Sequence, residues 1–229
     1  MLKDSWNNAP SVLTEWIGRD DLLNQITSDW NSASKRVTGL IGFGGEGKSS
    51  LARKWVDNLI NDSIQVQPDG IFWWGFYENN SVDAFLGTAL SYISGGQMDP
   101  SQYPSPNMKA HMVGAMLELE DMGRYLFVLD GIEVLQHQEG DQYGLLKSND
   151  LHDLLTFFAH PDSKSYCLIT SRAPLLDLLD YTTYNHRDVD RLSESDGVLL
   201  LDKLGVKGRK AQLSKIVSDW NGHALTLSL

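Results

Sequence analysis

Cysteine is almost missing: Cys167 is the only one in 229 residues, so no disulfide can close within the chain. That fits an intracellular, cytoplasmic setting, and Cys167, inside the apolar run Tyr166 to Ile169, reads as core packing. No run of about 18 or more apolar residues occurs, so no membrane-spanning helix is expected. The opening Met1-Leu2-Lys3-Asp4-Ser5-Trp6 lacks the apolar stretch of a secretory signal. Basic residues are scarce, 19 Lys and Arg against 30 Asp and Glu, a formal net charge of -11. A field of that sign repels phosphate backbones at long range, so no direct nucleic-acid binding is expected. His137, His152, His160 and His223 have no metal-ligand spacing, and there is no Cys/His cluster to hold zinc. Internal repeats and low-complexity blocks are also absent.

What is present is 41% hydrophobic residues, enough to bury a full core, in short β-rich runs that alternate with helical stretches. That alternation predicts an α/β fold with a mainly parallel sheet. Strands are expected at Arg36 to Ile41, Gly70 to Tyr77, Tyr125 to Leu129, Tyr166 to Thr170 and Tyr184 to Val189. The continuous Ile71-Phe72-Trp73-Trp74 suits a strand buried on both faces. Helices are expected near Asp20 to Asp29, Lys48 to Asn61, Val82 to Ile93, Met108 to Met122, Leu151 to Ala159 and Leu175 to Leu179. Gly95 to Asn107, with three prolines and two glycines, reads as a loop, and the first 16 residues as an arm. From Ser193 the pattern is helical only. Ser193-Glu194-Ser195-Asp196 has capping-box spacing, and a second helix from Arg209 to Trp220 stops at Asn221-Gly222. The expected organisation is an N-terminal arm and helix (1–34), a nucleotide-binding domain (35–192) and the start of a helical subdomain (193–229). Leu229 falls within an apolar run without a cap, so a fragment of a longer protein is expected.

The segment Gly42-Phe43-Gly44-Gly45-Glu46-Gly47-Lys48-Ser49 has the spacing G-x-x-x-x-G-K-[ST] of a phosphate loop. Glycines at 42, 44, 45 and 47 let the backbone curl so that successive N–H groups point inward at phosphates. Lys48 is expected on the β- and γ-phosphates and the Ser49 hydroxyl on Mg²⁺, with Glu46 and Ser50 completing the cradle. The helix that starts at Lys48 adds its positive dipole end. The ending Lys-Ser disfavours a dinucleotide site.

Strand Leu126-Phe127-Val128-Leu129 ends at Asp130, the form that places a carboxylate beside a phosphate loop, where Asp130 is expected to hold Mg²⁺. Glu133, three residues on, is the candidate base for the attacking water. Thr170-Ser171-Arg172 ends the next strand, and Arg172 is expected to reach the γ-phosphate through charge-assisted hydrogen bonds. No Asn-Lys-x-Asp element reads guanine, so ATP or ADP is the expected nucleotide.

With these elements in this order, the chain resembles the STAND class of signalling NTPases, which includes NB-ARC and NACHT proteins of apoptosis, plant resistance and bacterial defence. Ile17-Gly18-Arg19 followed by Leu22-Leu23 resembles the class's hydrophobic-Gly-Arg element, which implies an adenine contact from Ile17 and Arg19. Gly42 to Ala52 resembles its G-x-G-G-x-G-K-T-T-L-A loop, with serines for both threonines. Asp130-Gly131-Ile132-Glu133 is closer to the NACHT form than to the paired aspartates of NB-ARC, and Leu168 to Arg172 resembles the sensor strand. Gly222-His223-Ala224-Leu225 resembles the G-x-P-L helix that closes over adenine, with Ala224 where the class has proline. The resemblance implies a three-layer α/β/α P-loop NTPase fold, with five strands in the order 2-3-4-1-5 and an ARC1-like helical segment. It also implies an ATP/ADP switch with self-association through the full-length protein. Two other functions stay open: a P-loop kinase acting on a small acceptor, and a nucleotide-binding scaffold that does not hydrolyse. A kinase lid normally carries several arginines, and none lie in Gly95 to Asn107.

Overall fold

The computed structural model describes residues 3–12, 16–62 and 65–229. Six strands form one sheet: β1 (Lys3–Asn7), β2 (Val37–Ile41), β3 (Gly70–Gly75), β4 (Tyr125–Asp130), β5 (Tyr166–Ser171) and β6 (Tyr184–Asp188). Their spatial order is β1-β3-β4-β5-β2-β6, and each neighbouring pair is parallel. The last five in that list stand in the expected order. The sixth, β1, was read as part of an arm; residues 1–2 and 13–15 of that stretch lie outside the described residues. Its polar Lys-Asp-Ser-Trp-Asn has no alternation because an edge strand gains little from a second buried face. Trp6 supplies the one large apolar contact, stacking on Trp73 at 6.2 Å between centroids beneath the Arg53 guanidinium at 4.4 Å.

The central strands are buried on both faces, so their period-two pattern sorts one apolar run into two cores. Ile71, Trp73, Leu126, Val128, Tyr166 and Leu168 pack against α1 (Asp20–Asn31) and α2 (Lys48–Asn61). Phe72, Trp74, Phe127, Leu129, Cys167 and Ile169 pack under α3 (Val82–Ile93), α4 (Pro106–Leu117) and α5 (Asn149–Phe158). Burial pushes the Cys167 thiol well above its usual range, so it behaves as a small apolar core residue. Helix α4 begins and ends earlier than its periodicity suggests. Ser105 caps it by accepting from the Met108 N–H at 3.2 Å, and Pro106 takes the first turn, where it has no N–H to lose. The expected helix at Leu175 to Leu179 is a single tight turn, Leu176–Leu178.

After β6 come α6 (Glu194–Lys203), α7 (Lys210–Asp219) and the short α8 (Ala224–Leu227). Ser193 caps α6 by accepting from the Asp196 N–H at 3.1 Å. These helices close a small core of their own around Leu201, Leu213, Val217 and Leu227. Gly222, at φ 67°, ends α7 where a Cβ would stand 2.2 Å from the Leu192 carbonyl oxygen.

On the α1 side a buried carboxylate joins helix to sheet. Arg187 donates to Asp29 through Nε (3.0 Å) and Nη2 (2.7 Å), and Asn185 (2.6 Å) and Thr38 (3.1 Å) also donate to it. The Tyr166 hydroxyl continues the chain to Thr38 at 2.6 Å. Removing one member of a buried, hydrogen-bonded pair leaves an uncompensated charge. Arg187→Ala is therefore expected to lower unfolding free energy by about 3 kcal/mol in urea denaturation, far more than Lys207→Ala on the exposed surface.

Candidate functional site

Parallel strands bring their C-terminal ends to one edge, and the loops leaving β2, β3, β4 and β5 meet there. The loop after β2 turns through left-handed backbone at Gly45 (φ 78°) and Gly47 (φ 81°) before entering α2. Gly42 answers a different need: a Cβ there would stand 2.5 Å from the Val189 carbonyl oxygen. Lys48 Nζ donates to the Gly42 and Phe43 carbonyls, each at 2.8 Å. Burial lowers the affinity of this ammonium for its proton, and the carboxylate of Glu133 works in the opposite direction.

Asp130, at the end of β4, is almost wholly buried beneath the loop. Its Oδ1 accepts the Ser49 hydroxyl at 2.7 Å and the Thr170 hydroxyl at 2.5 Å, while Thr170 Oγ1 accepts from the Gly131 N–H at 2.8 Å. Burial raises the carboxyl's pKa, and the hydroxyls of Thr170 and Ser49 draw it back down. Ser49 and Asp130 together are a hydroxyl and a carboxylate at hydrogen-bond distance, the hard oxygen donors that Mg²⁺ accepts. The donor set fits that ion.

Glu133 sits in the tight turn Ile132–Leu135 just past Asp130 and is 4% exposed. Its Oε1 meets Arg172 Nε at 2.9 Å and accepts the hydroxyl of Tyr77, while Oε2 is buried without a hydrogen-bond partner among the described residues. Arg172 lies across the phosphate loop, where a Cβ on Gly44 would stand 3.0 Å from its guanidinium carbon. Tyr77 and Thr170 are contacts that sequence reading did not assign. Thr170 could have been found from its place at the strand end, two residues before Arg172. Nothing local marks Tyr77.

A cleft of about 480 Å³ opens over the loop. Gly44, Gly45, Gly47, Lys48, Ser49 and Ser50 form its end over the glycine loop, the one expected to take phosphates, with Glu133 and Arg172 at the side. Trp16, Ile17, Leu192, Leu200 and Leu225 give it an apolar end, and Arg19 and Ala224 also line it. Gly42, Glu46, Gly222 and His223 stand outside the lining, and Asp130 lies below it. Glu46 turns its carboxylate to the back of the loop, 3.4 Å from Arg191 Nε without hydrogen-bond geometry. The Glu46 N–H donates within the loop, to the Phe43 carbonyl at 3.4 Å. Arg19 donates to the Asp190 carbonyl at 2.8 Å and lies against Gly47, while Gly18, at φ 69°, leaves room for the Asp196 carboxylate.

The helical segment touches the phosphate loop directly. His223 Nδ1 accepts the Thr226 N–H at 3.3 Å, which leaves the ring proton on Nε2, and Nε2 donates to the Gly44 carbonyl at 2.9 Å. The Leu225 N–H donates to the Gly45 carbonyl at 3.0 Å. A Cβ on Gly45 would stand 2.5 Å from the His223 ring, so the approach requires glycine.

No family model matches the chain. Over 240 residues it is 25% identical to an uncharacterised WD repeat-containing protein of Nostoc sp., a match covering 98% of this chain and 18% of that protein. Among solved structures it is similar to a signal transduction ATPase with numerous domains (STAND) and a tetratricopeptide repeat sensor, from Pyrococcus horikoshii. That similarity has a TM-score of 0.61 and 18% identity over 97% of this chain and 30% of the other. A Walker-type ATPase of Pyrococcus abyssi follows, at TM-score 0.60 and 14% identity over 97% and 69% of the two chains. An Aeropyrum pernix ORC1 protein, solved in complex with DNA, gives 0.60 and 13% over 95% and 59%. The chain thus spans less than a fifth of the curated relative and under a third of the Pyrococcus horikoshii protein. The fold is the one these structures share, a parallel sheet with flanking helices, here with the glycine-rich loop between β2 and α2. Among the described residues no helix is long and apolar enough to cross a membrane.

A neutral hydrogen bond contributes about 1 kcal/mol net. His223→Ala is therefore expected to raise hydrogen exchange of the Leu225 and Thr226 amides about fivefold. Exchange unchanged in that variant would mean that α8 holds its place without the histidine.

Proposed function

We propose that this chain is the ATP/ADP-binding switch domain of a STAND-type signalling ATPase, in which slow Mg²⁺-dependent hydrolysis controls conformation and self-association. The observation that carries the reading is the grip of the helical segment on the phosphate loop, through His223 on Gly44 and the Leu225 N–H on Gly45. A segment bonded to the loop's own carbonyls feels any rearrangement of the loop when phosphates change. A kinase that transfers phosphate to a small acceptor has no need for that connection, and the two arginines that line this cleft, Arg19 and Arg172, come from the segment before α1 and the end of β5 rather than from a lid.

The triphosphate is held by the backbone N–H groups of Gly44, Gly45 and Gly47 to Ser49, by Lys48 as a point charge and by the positive end of α2. Ile17, Trp16, Leu192 and Leu225 offer the base an apolar slot, with Arg19 and Ala224 at its rim. Ser49 and Asp130 would hold Mg²⁺, which when bound would supply positive charge to neutralise the phosphate oxygens. Glu133 orients a water and takes its proton as the water oxygen bonds to the γ-phosphorus and the bond to the bridging oxygen breaks, releasing ADP and phosphate. Arg172 steadies the charge on the transferred group.

Two substitutions test this. Lys48→Ala is expected to abolish ATP and ADP binding in calorimetry; retained affinity would remove the central claim. Glu133→Gln is expected to keep binding and lower turnover by about 100-fold or more. Equal turnover in mutant and parent would leave a scaffold, or a base elsewhere.

A further inference from the structure

Tyr77 holds a position that packing alone does not explain. The residue follows β3, whose pairing sets Gly75 opposite Asp130, and the Phe76 N–H donates to the Asp130 carbonyl at 2.8 Å. That register carries the next side chain across the turn after β4. There Gly131, at φ 78°, leaves the space: a Cβ would stand 2.6 Å from the Tyr77 ring. The ring is 52% exposed, so little apolar surface is gained by placing it there. Its hydroxyl, by contrast, points inward to Glu133 Oε1, the oxygen that also meets Arg172 Nε at 2.9 Å. Arg172 in turn stands 5.7 Å from the centre of the tyrosine ring. A phenol hydrogen bond and a guanidinium ion pair, from the ends of separate strands, therefore meet at one carboxylate oxygen.

We propose that Tyr77 is a positioning residue that restrains Glu133, holding its Oε1 away from an attacking water until the site is rearranged. The inference rests on the reading of Glu133 as the hydrolytic base. Burial, followed by the Glu133 hydrogen bond, pushes the phenol up to about 12, so the hydroxyl stays a donor near neutral pH. Arg172 is the movable half of the restraint, because it already lies against Gly44 of the glycine loop, within reach of a bound phosphate. A γ-phosphate competes with Glu133 for that guanidinium, since both offer anionic oxygens. Tyr77 is the fixed half, set by the strand register, and it keeps hydrolysis slow after Arg172 has turned to the phosphate. That is a useful property in a switch whose ATP state must last.

The test is Tyr77→Phe in the whole 229-residue chain, which removes one hydroxyl from a half-exposed ring and leaves the packing against Gly131. ATP affinity by calorimetry is expected to match the parent, KM to stay within about twofold, and kcat to rise roughly threefold to tenfold. The rise should vanish in Tyr77→Phe/Glu133→Gln, because the hydroxyl acts through that carboxylate. Tyr77→Gln, which restores a donor, should return kcat toward the parent value. A kcat unchanged or lowered in Tyr77→Phe, with ATP binding intact and Glu133→Gln inactive, overturns the restraint and leaves the hydrolytic reading standing. If ATP binds but turnover in the parent is indifferent to Glu133→Gln, the hydrolytic reading itself falls.

Discussion

One oxygen of Asp130 receives hydroxyls from two different elements, Ser49 at the start of α2 and Thr170 near the end of β5. A carboxylate so deeply buried is costly unless its lone pairs are occupied, so the two donors do more than decorate it. They pin the phosphate loop to the sheet on one side and the β5 strand end, with Arg172, on the other. Thr170 also takes the Gly131 N–H, which fixes the turn that carries Glu133. Every group proposed to touch phosphate, metal or water is thus referenced to one point at the sheet's edge. Each hydroxyl has a lone pair besides its donated proton, so the same constellation that closes on itself can open toward a cation.

That point exists because the sheet is parallel. Each strand enters from the same side, so a run of buried residues ends in a polar one at the same edge: β4 in Asp130, β5 in Ser171 with Arg172 beyond. The aromatic density of the sheet keeps that edge from shifting. Phe72 and Phe127 lie 5.1 Å apart across β3 and β4, and Trp30 meets Tyr166 edge-on at 5.5 Å beneath β5. Offset and edge contacts of this kind add stability beyond area and resist sliding of one strand past another.

The phosphate loop was legible because its chemistry demands residue types: glycine where φ is positive or another chain presses close, then lysine, then a hydroxyl. The strand order was reached through the resemblance, and the continuous apolar runs identified the strands themselves. Strand β1 was not legible, since one tryptophan in five residues carries no period, and its place is defined only by Trp73 and Arg53 beside it. The start of α4 was hidden by reading Ser105-Pro106 as loop, although a serine before a proline is also a helix opening. Tyr77 could not be found because its meeting with Glu133, 56 residues on, depends on the register of β3 against β4. Glu46 sits in the motif, yet it turns to Arg191 behind the loop, a choice set by the segment after β6.

Under the proposed function, the grip of α8 on the loop has a physical consequence for how tightly the helical segment couples to nucleotide. Gly44 and Gly45 give their carbonyls to His223 and Leu225, and the Gly44 carbonyl shares its peptide unit with the Gly45 N–H. A peptide unit polarised from its oxygen becomes a better donor at its nitrogen, so docking the helix and binding phosphate reinforce each other. The backbone there is also left-handed at Gly45, where small rotations swing the carbonyl and the next N–H together. A loop that shifts to follow a departing γ-phosphate therefore moves the acceptors on which α8 rests. Leu227 anchors α8 in the apolar cluster of Leu201, Leu213 and Val217, with Leu192, Val198 and Leu200 packed against it, so a shift of α8 is passed on to α6 and α7. Coupling of this kind would need no long-range pathway, because the helix and the bound phosphate would hydrogen-bond to opposite ends of one peptide unit.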